Sequence, residues 1–529
     1  MNDARLSENE LDQLPREVLV KLILGLQSSM DELNHTVQIL SEQIKVMNQR
    51  QYGRKTESSS QIYMPQLELG INEPEALADE SEPEPSLEEA VSRHPRPKGK
   101  RETDFQKITK HREEIIELKE AELDDRFGKD HWKRLPYQII TKLEHFPASF
   151  EAVTYKIGVY AADDNQTILR APKPAELWPN SIATPSLVSS IIFGKYVNAV
   201  PLYRQEKAYE ESSICISRTT MANWMIAASE QYLRPFYALL KKEMLEERLL
   251  HADETPFEVA RDGRPAGSKS YMWVYSTGRC AAKRKAILYD YRHTRSHEHP
   301  DDFLRGFRGA LVCDGYQAYH RLGKDHPEEF VVAGCWVHLK RKFSTLIKAE
   351  GVKAAKGTLA ESAVERISRI CHEDHLLKDL SSEERLQKRQ QIIKPLVNEF
   401  FEWVKESRQY VAEQSETGKG FTYAMNQEPY LRAFLTDPDI PMDNNQAERA
   451  IRPFTVGRKN WVMIDTPKGA EASAVLYSIV ETAKANNLKI YDYFTYLLTE
   501  LPKYCNNLNT EIPQALLPWS DELPLSLRK

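Results

Sequence analysis

Five short β-rich runs follow one another between residues 249 and 334, and the first and fourth carry an aspartate after an apolar run. Leu249 to Val259 reads LLHADETPFEV, with Asp253 after a short apolar run. Gly309 to Tyr319 reads GALVCDGYQAY, with Asp314 directly after Ala310-Leu311-Val312-Cys313. Both have the composition of buried strands. Ser270 to Tyr275 and Lys285 to Tyr291, with Gly278 between them, read as an antiparallel continuation of the first run. A helical turn around Pro300 to Phe307 leads to the Asp314 strand, and Phe330 to Gly334 makes the fifth. The order is β-β-β-α-β-α-β, with acids on strands one and four. A lone aspartate at a strand end is more often a turn residue, so the pair needs a third group before it carries chemistry.

Met442 to Trp461, MDNNQAERAIRPFTVGRKNW, supplies a candidate. Asn444 or Asn445 can cap a helix that starts here, and Pro453 would limit or kink it. Glu448 stands amid Arg449, Arg452, Arg458 and Lys459. A carboxylate one turn into a helix, flanked by cations, suits a metal ligand working beside phosphates. The spacing Asn445-x-x-Glu448 is also that of a capping box, in which Glu448 would only satisfy the helix N-terminus. Two aspartates on strands and a glutamate on a late helix can together hold two divalent cations. Such a pair clamps the attacking and leaving oxygens of a phosphoryl transfer. Hard oxygen ligands suit Mg²⁺ or Mn²⁺ rather than Zn²⁺.

The stretches HADET, CDGYQAY, CWVHLKRKF and DNNQAERAIRPFTVGRKNW resemble, nearly word for word and in the same order, the insertion sequence 66 family of transposases, the large TnpC-type proteins. The resemblance covers most of the chain. It implies a ribonuclease H-like α/β catalytic core over 249–490, with an all-helical insertion at about 347–440 and a DDE triad of Asp253, Asp314 and Glu448 binding two Mg²⁺ or Mn²⁺ ions. It implies cleavage of one strand at each element end, attack of the freed 3′-OH on target DNA, and small accessory proteins from the same element. In Cys335 to Phe343 the CxxH pair alone is a weak zinc signal. By resemblance His338 lies near the active site, where it would orient or protonate a phosphate; a histidine satisfied inside the fold is the alternative. Asn445 is a second candidate for active-site support. Lys340, Arg341 and Lys342 lack acidic neighbours and, with Arg449, Arg452, Arg458 and Lys459, are candidate DNA contacts.

The remainder reads as a multidomain α+β chain. Over residues 1–50, Leu19, Ile23, Leu26, Met30, Leu33, Val37, Leu40, Ile44 and Met47 step by four and three, the seam of a coiled coil and a route to a homo-oligomer. An amphipathic helix packed on its own domain is the alternative. Tyr52 to Glu57 is similar to the family's short basic element; it can touch DNA or simply end the helix at Gly53. Residues 51–102 form a linker: nine acids from Glu68 to Glu89 come without a cation between them, and then Arg93, Arg96, Lys98, Lys100 and Arg101 reverse the sign. Such a segment is usually disordered. Residues 103–180 read as a small α+β domain with a strand at Val153 to Val159. Family members often carry a zinc module there, but this interval has no cysteine, only His111, His131 and His145, so no zinc is expected. Residues 181–248 read as helical. Ser217 can cap a second helix and give a helix-turn-helix-like pair, with Arg218, Thr219 and Asn223 toward a DNA groove; a supporting helical hairpin explains the pattern equally well. Gly418-Lys419-Gly420 marks a turn inside the insertion, and residues 491–529 make a C-terminal helical tail.

Net charge of −6 alone argues against nucleic acid, yet the linker accounts for much of it. The N-terminal MNDARLSENELDQ is too polar for a signal peptide, no run approaches the ~20 apolar residues of a membrane span, and the six cysteines form no CxxC pair. A bacterial cytoplasmic protein, on the nucleoid when bound to DNA, is expected. The rivals are a ribonuclease H-like nuclease or resolvase that cuts without joining, and a transposase-derived DNA-binding regulator, which would be expected to have lost an acid.

Overall fold

The structure is a computed structural model describing residues 15–52, 150, 159–161, 168–170, 176–179 and 181–529, apart from 266, 279–283, 352–354 and 506–510. The linker, the basic element after Tyr52, the three histidines of the zinc-module position and nearly all of 103–180 lie outside the described residues. The chain divides into two units, Met1–Met64 with Tyr155–Lys529, and Pro65–Thr154; everything below concerns the first.

The heptad run forms one helix, α1 (Arg16–Tyr52). Its apolar row Ile23, Leu26, Met30, Leu33, Val37, Leu40 and Ile44 is exposed in the single chain. Of the strand expected at Val153 to Val159, only the end is described: β1 (Val159–Ala161) pairs antiparallel with β2 (Ile168–Arg170). Four helices follow: α2 (Pro185–Ile192), α3 (Leu202–Glu211), α4 (Arg218–Ala228) and α5 (Arg234–Leu245). Ser217 caps α4, its Oγ accepting the Thr220 N–H at 3.1 Å, while Met221, Met225 and Ala228 face the core.

The centre is a five-stranded mixed sheet made of β3 (Leu249–Glu258), β4 (Lys269–Thr277), β5 (Ile287–Arg292), β6 (Gly309–Cys313) and β7 (Phe330–Gly334). The spatial order is β5-β4-β3-β6-β7, antiparallel from β3 to β5 and parallel from β3 to β7. The parallel half needs crossovers, which are α6 (Glu298–Phe303) before β6 and α7 (Gln317–Asp325) between β6 and β7. Both faces are covered, so β6 is a nearly continuous apolar run, the pattern of a strand buried on two sides.

A second apolar core is built by α8 (Trp336–Glu350), α9 (Leu359–Leu376), α11 (Lys394–Ser407) and α12 (Glu416–Leu431), while α10 (Ser382–Lys388) buries nothing in it. Here Gly418-Lys419-Gly420 does not turn; it lies in the first turns of α12, where Ser415 Oγ accepts the Gly418 N–H at 3.0 Å. Close approach explains both glycines. A Cβ on Gly418 would come to 2.0 Å from the Ala412 carbonyl oxygen, and one on Gly420 to 2.5 Å from the Phe343 ring. Trp336 joins this core to the sheet. It follows β7 directly, is fully buried among Phe400, Phe401 and Phe434, and donates from Nε1 to the Leu431 carbonyl at 2.9 Å. Trp336→Ala should cost about 3–5 kcal/mol, measured by chemical denaturation of the unit.

Helix α13 (Asn445–Trp461) returns the chain to the sheet, and α14 (Pro467–Ala485) and α15 (Ile490–Glu500) complete it. Pro453 does not end α13, which continues for two further turns. Edge strand β5 is sealed by α14: Ser478 Oγ accepts the Tyr289 N–H at 2.7 Å, and Thr482 Oγ1 accepts the Ile287 N–H at 3.0 Å and donates to its carbonyl at 2.9 Å. An exposed edge would invite pairing with other chains. The residues after α15 turn back into the main core through Leu516, Leu517, Leu523 and Leu527. Among the described residues no helix is long and apolar enough to cross a membrane.

Candidate active site

Register places the two aspartates. In the parallel pair, Leu249 stands opposite Ala310, Leu250 opposite Leu311 and His251 opposite Val312. Asp253 lies two residues past His251, and Asp314 two past Val312. Side chains alternate along a strand and neighbouring strands lie about 4.8 Å apart. Both carboxylates therefore leave adjacent strands at one level and on one face, Asp253 from the middle of β3 rather than from its end and Asp314 from just past the end of β6. Asp253 Oδ1 accepts the Glu254 N–H at 2.9 Å, and Asp314 Oδ1 accepts the Tyr316 N–H at 2.9 Å. Burial, then the nearby Glu254 and Asp314 and more weakly Glu448, holds the Asp253 carboxyl well above its ordinary 3.8.

Helix α13 is fastened to this face at its first residue. Asn444, the fully buried N-cap, does not cap with its side chain. Instead Oδ1 meets His251 Nδ1 at 3.0 Å, and Nδ2 donates to the Ala252 carbonyl at 2.8 Å. Its N–H donates to Cys335 Sγ at 3.2 Å, and the Trp336 N–H donates to the Met442 carbonyl at 2.9 Å. The start of α13 is thus tied to β3 beside Asp253 and to the end of β7. Farther along, Gln446 donates to the Thr277 carbonyl, Tyr289 donates to the Ala450 carbonyl, and Phe257 meets Phe454 edge-on at 5.1 Å.

Glu448 is in the first turn. The capping box expected with Asn445 is absent: Asn445 is the first helical residue, and its N–H donates to Asp443 Oδ1 at 3.0 Å. Glu448 faces α8 instead, with Oε2 3.3 Å from Arg341 and Oε1 3.5 Å from His338 Nε2. Burial and then Arg341 lower the His338 pKa from 6.5, which favours the neutral ring at neutral pH.

The other predicted residues scatter. Arg341, Lys342 and Arg449 are exposed, and Lys342 lies 5.0 Å from the Tyr423 ring. Lys340 is buried near Cys371, where burial lowers its pKa. Arg458 donates to the Pro256 carbonyl and, at 3.4 Å, to Thr255 Oγ1. Arg452 is partly buried and Lys459 exposed. Arg218 sits on α4 with its guanidinium 5.8 Å from the Tyr203 ring.

Sequence reasoning missed the part played by three groups. Asn444 is one, named from the sequence only as a possible helix cap. Glu254 is another: it points away from Asp253, pairs with Arg295 and accepts the Tyr319 O–H at 2.7 Å. Arg295 also stacks on Tyr316 at 3.7 Å, so the turn that carries Asp314 is braced from β3. Tyr423 is the third; it closes on Gly315, where an added Cβ would come to 2.5 Å from its hydroxyl. The repeated acids and tyrosines of HADET and CDGYQAY were the available signal.

Among the described residues no three His, Cys, Asp or Glu side chains converge closely enough to hold a metal ion as they stand. The pairing of Glu448 with Arg341 and His338 accounts for that. The donor chemistry nonetheless fits a hard divalent cation: Asp253 and Asp314 offer carboxylate oxygens side by side, and burial first, then the neighbouring Glu254 and Asp314, raises the Asp253 pKa.

The site thus brings together level acids on adjacent parallel strands and a facing helix that bears a third acid and arginines. Residues 180–472 match the family described as Transposase IS66 family, over half of the chain, and the chain belongs to that family. Residues 39–105 match a second description, Transposase C of IS166 homeodomain. The relatives include three proteins of Sinorhizobium fredii (strain NBRC 101917 / NGR234). Uncharacterized protein y4qI is 28% identical over 504 residues, covering 92% of this chain and 89% of the relative. Uncharacterized protein y4hP is 28% identical over 411 residues, covering 74% and 72%. Uncharacterized protein y4jD is 26% identical over 360 residues, covering 67% and 69%.

Proposed function

We propose that this transposase-family protein cuts one DNA strand at each end of its element and joins the freed 3′-OH to target DNA, using a ribonuclease H-like core. The observation that carries the reading is the level placement of Asp253 and Asp314 beneath a helix fastened at Asn444. Asp253, Asp314 and Glu448 would hold divalent cations, Mg²⁺ or Mn²⁺. When bound, these supply Lewis-acid stabilisation of the attacking and leaving oxygens. The protein's own part is positional. Arg341 and Arg449 are exposed beside the site and can take backbone phosphates. A phosphate that accepts from Arg341 removes the partner of Glu448 and frees that carboxylate to join the aspartates. His338, neutral when free, stands beside Glu448 and can take up or give a proton at Nε2. Both cutting and joining are in-line displacements, so one set of groups serves both.

The partner is double-stranded DNA. The exposed seam of α1 supports self-association as a coiled coil, and action in the bacterial cytoplasm with small accessory proteins completes the reading. The test is cleavage and joining of a labelled end of the host element, with Mg²⁺ and the element's other gene products present. Glu448→Gln should lower both steps on the order of 10³-fold while DNA binding persists. Undiminished cleavage by that variant removes Glu448 from the site, and cutting without joining points to a nuclease.

A further inference from the structure

Helix α13 ends in a turn of rare geometry. Val462 has φ 62° and ψ −57°, and the Met463 N–H donates to the Trp461 carbonyl at 2.7 Å. A three-residue turn with positive φ at its centre is the strained form of the γ-turn, and a β-branched residue there is an outlier. Such strain persists only where the surroundings over-determine it. Here they do. The Val462 N–H donates to the Arg458 carbonyl at 2.7 Å, the Ile464 N–H to the Glu258 carbonyl at 3.1 Å, and the Ala260 N–H to the Ile464 carbonyl at 2.8 Å. The turn is gripped between the helix and an extension of β3.

The consequence is a small apolar tip. Val462 is 69% and Met463 47% exposed, while Trp461 and Ile464 on either side pack against the core. Two lysines lie on the Trp461 side of the tip, and on its other side Asp465 is paired with Arg261. Lys459 is exposed and has no ion-pair partner among the described residues, and Lys195 lies 5.5 Å from the Trp461 ring. Two side chains are far too little for a contact between copies of this chain, which needs about 800 Å² per partner. A DNA duplex suits the tip, because phosphates meet the lysines and apolar side chains wedge between stacked bases.

We propose that Val462 and Met463 form a wedge that unstacks a base step when DNA is bound; this rests on the DNA-processing reading above. Glu448 and the wedge belong to one helix, separated by about 21 Å at 1.5 Å per residue. At 3.4 Å per base pair, the unstacked step lies within about six pairs of the cut. The rigid helix would measure the distance from wedge to chemistry.

The probe is a nicked duplex with a free 3′-OH, the product a strand cut would leave, carrying 2-aminopurine at successive positions around the nick. Full-length protein should raise the fluorescence at one position. Val462→Asn with Met463→Ser should lower that rise at least about fivefold, while affinity by anisotropy falls less than about threefold because phosphates dominate it. Asparagine tolerates positive φ, so the double variant should keep the wild-type melting temperature; Met463→Ser alone, which leaves the turn intact, should give a partial loss. An undiminished rise in the double variant overturns the wedge. A change in sedimentation of the DNA-free double variant assigns the tip to contacts between copies and also overturns it. Failure of the wild type to bind any duplex overturns the DNA reading itself, an outcome that anisotropy separates from a wedge that does not unstack.

Discussion

Asp253→Asn is expected to abolish strand cleavage, by about 10³-fold or more, and at the same time to make the protein more stable at neutral pH. The two effects share one cause. Asp253 is held beside Glu254 and Asp314 in a partly buried place, and its carboxyl resists ionisation above the ordinary 3.8. A raised carboxyl pKa means that the folded state binds the proton more tightly than the unfolded one. Stability contributed by that group is then greatest at low pH and declines as pH rises from 3.8 through the raised value. Asparagine keeps the shape and an oxygen to accept the Glu254 N–H, but carries no charge to bury. Its gain in melting temperature should be full at pH 7 and should vanish as pH falls toward 3.8. Mg²⁺ should stabilise the wild type more than the variant, since bound cation favours the folded state only where ligands remain. Thermal melts across pH, with and without Mg²⁺, beside single-turnover cleavage, measure all of this. A variant that melts below the wild type at pH 7 would mean Asp253 is a structural hydrogen-bonding residue instead.

What the sequence made legible follows from periodicity. The five strands stand where short apolar runs placed them, because a strand buried on both faces leaves a mark that needs no partner to be read. Asp253 and Asp314 came with their strands. What stayed hidden is which way neighbouring residues face. Asn444 and Asn445 are chemically identical and adjacent, yet only Asn444 points into the sheet. Lys340 and Arg341 stand side by side on α8, yet one is buried near Cys371 and the other pairs with Glu448. Arg458 looked like a phosphate contact and reaches the Pro256 carbonyl. Gly418 and Gly420 looked like a turn because the surfaces they admit, the Ala412 carbonyl and the Phe343 ring, lie elsewhere in the sequence. Pro453 looked like a helix end, but packing on both sides of it, through Ala450 and Phe454, holds α13 together. Apart from Gly418, which meets the Ala412 carbonyl six residues before it, the deciding contact is long-range.

Asn444→Ala carries the second large effect, and it separates holding the site together from taking part in it. The side chain makes two bonds within β3, to His251 Nδ1 and to the Ala252 carbonyl. Removing a buried partner costs about 1–3 kcal/mol per group left behind, so a loss of about 2–6 kcal/mol is expected. The helix should remain, because its packing against β3 and β4 through Phe454 and Gln446 is untouched. Its first turn would no longer be held to the strand that bears Asp253, and a displacement near 1 Å is enough to cost about 10²-fold in rate. A merely destabilised enzyme would recover its rate when assayed well below its melting temperature. A loosened site would not: it should need more Mn²⁺ for half-maximal cleavage and bind DNA with nearly wild-type affinity, because the exposed phosphate contacts are unchanged. Asn444→Asp tests the same point from the other side. It keeps an oxygen facing His251 but sets a carboxylate against the Ala252 carbonyl, so it should be less stable than Asn444→Ala despite being closer in shape. If both variants cut at the wild-type rate and metal dependence after correction for unfolded protein, Asn444 secures the fold alone, and the distance from Asp253 to Glu448 is set by the packing of α13.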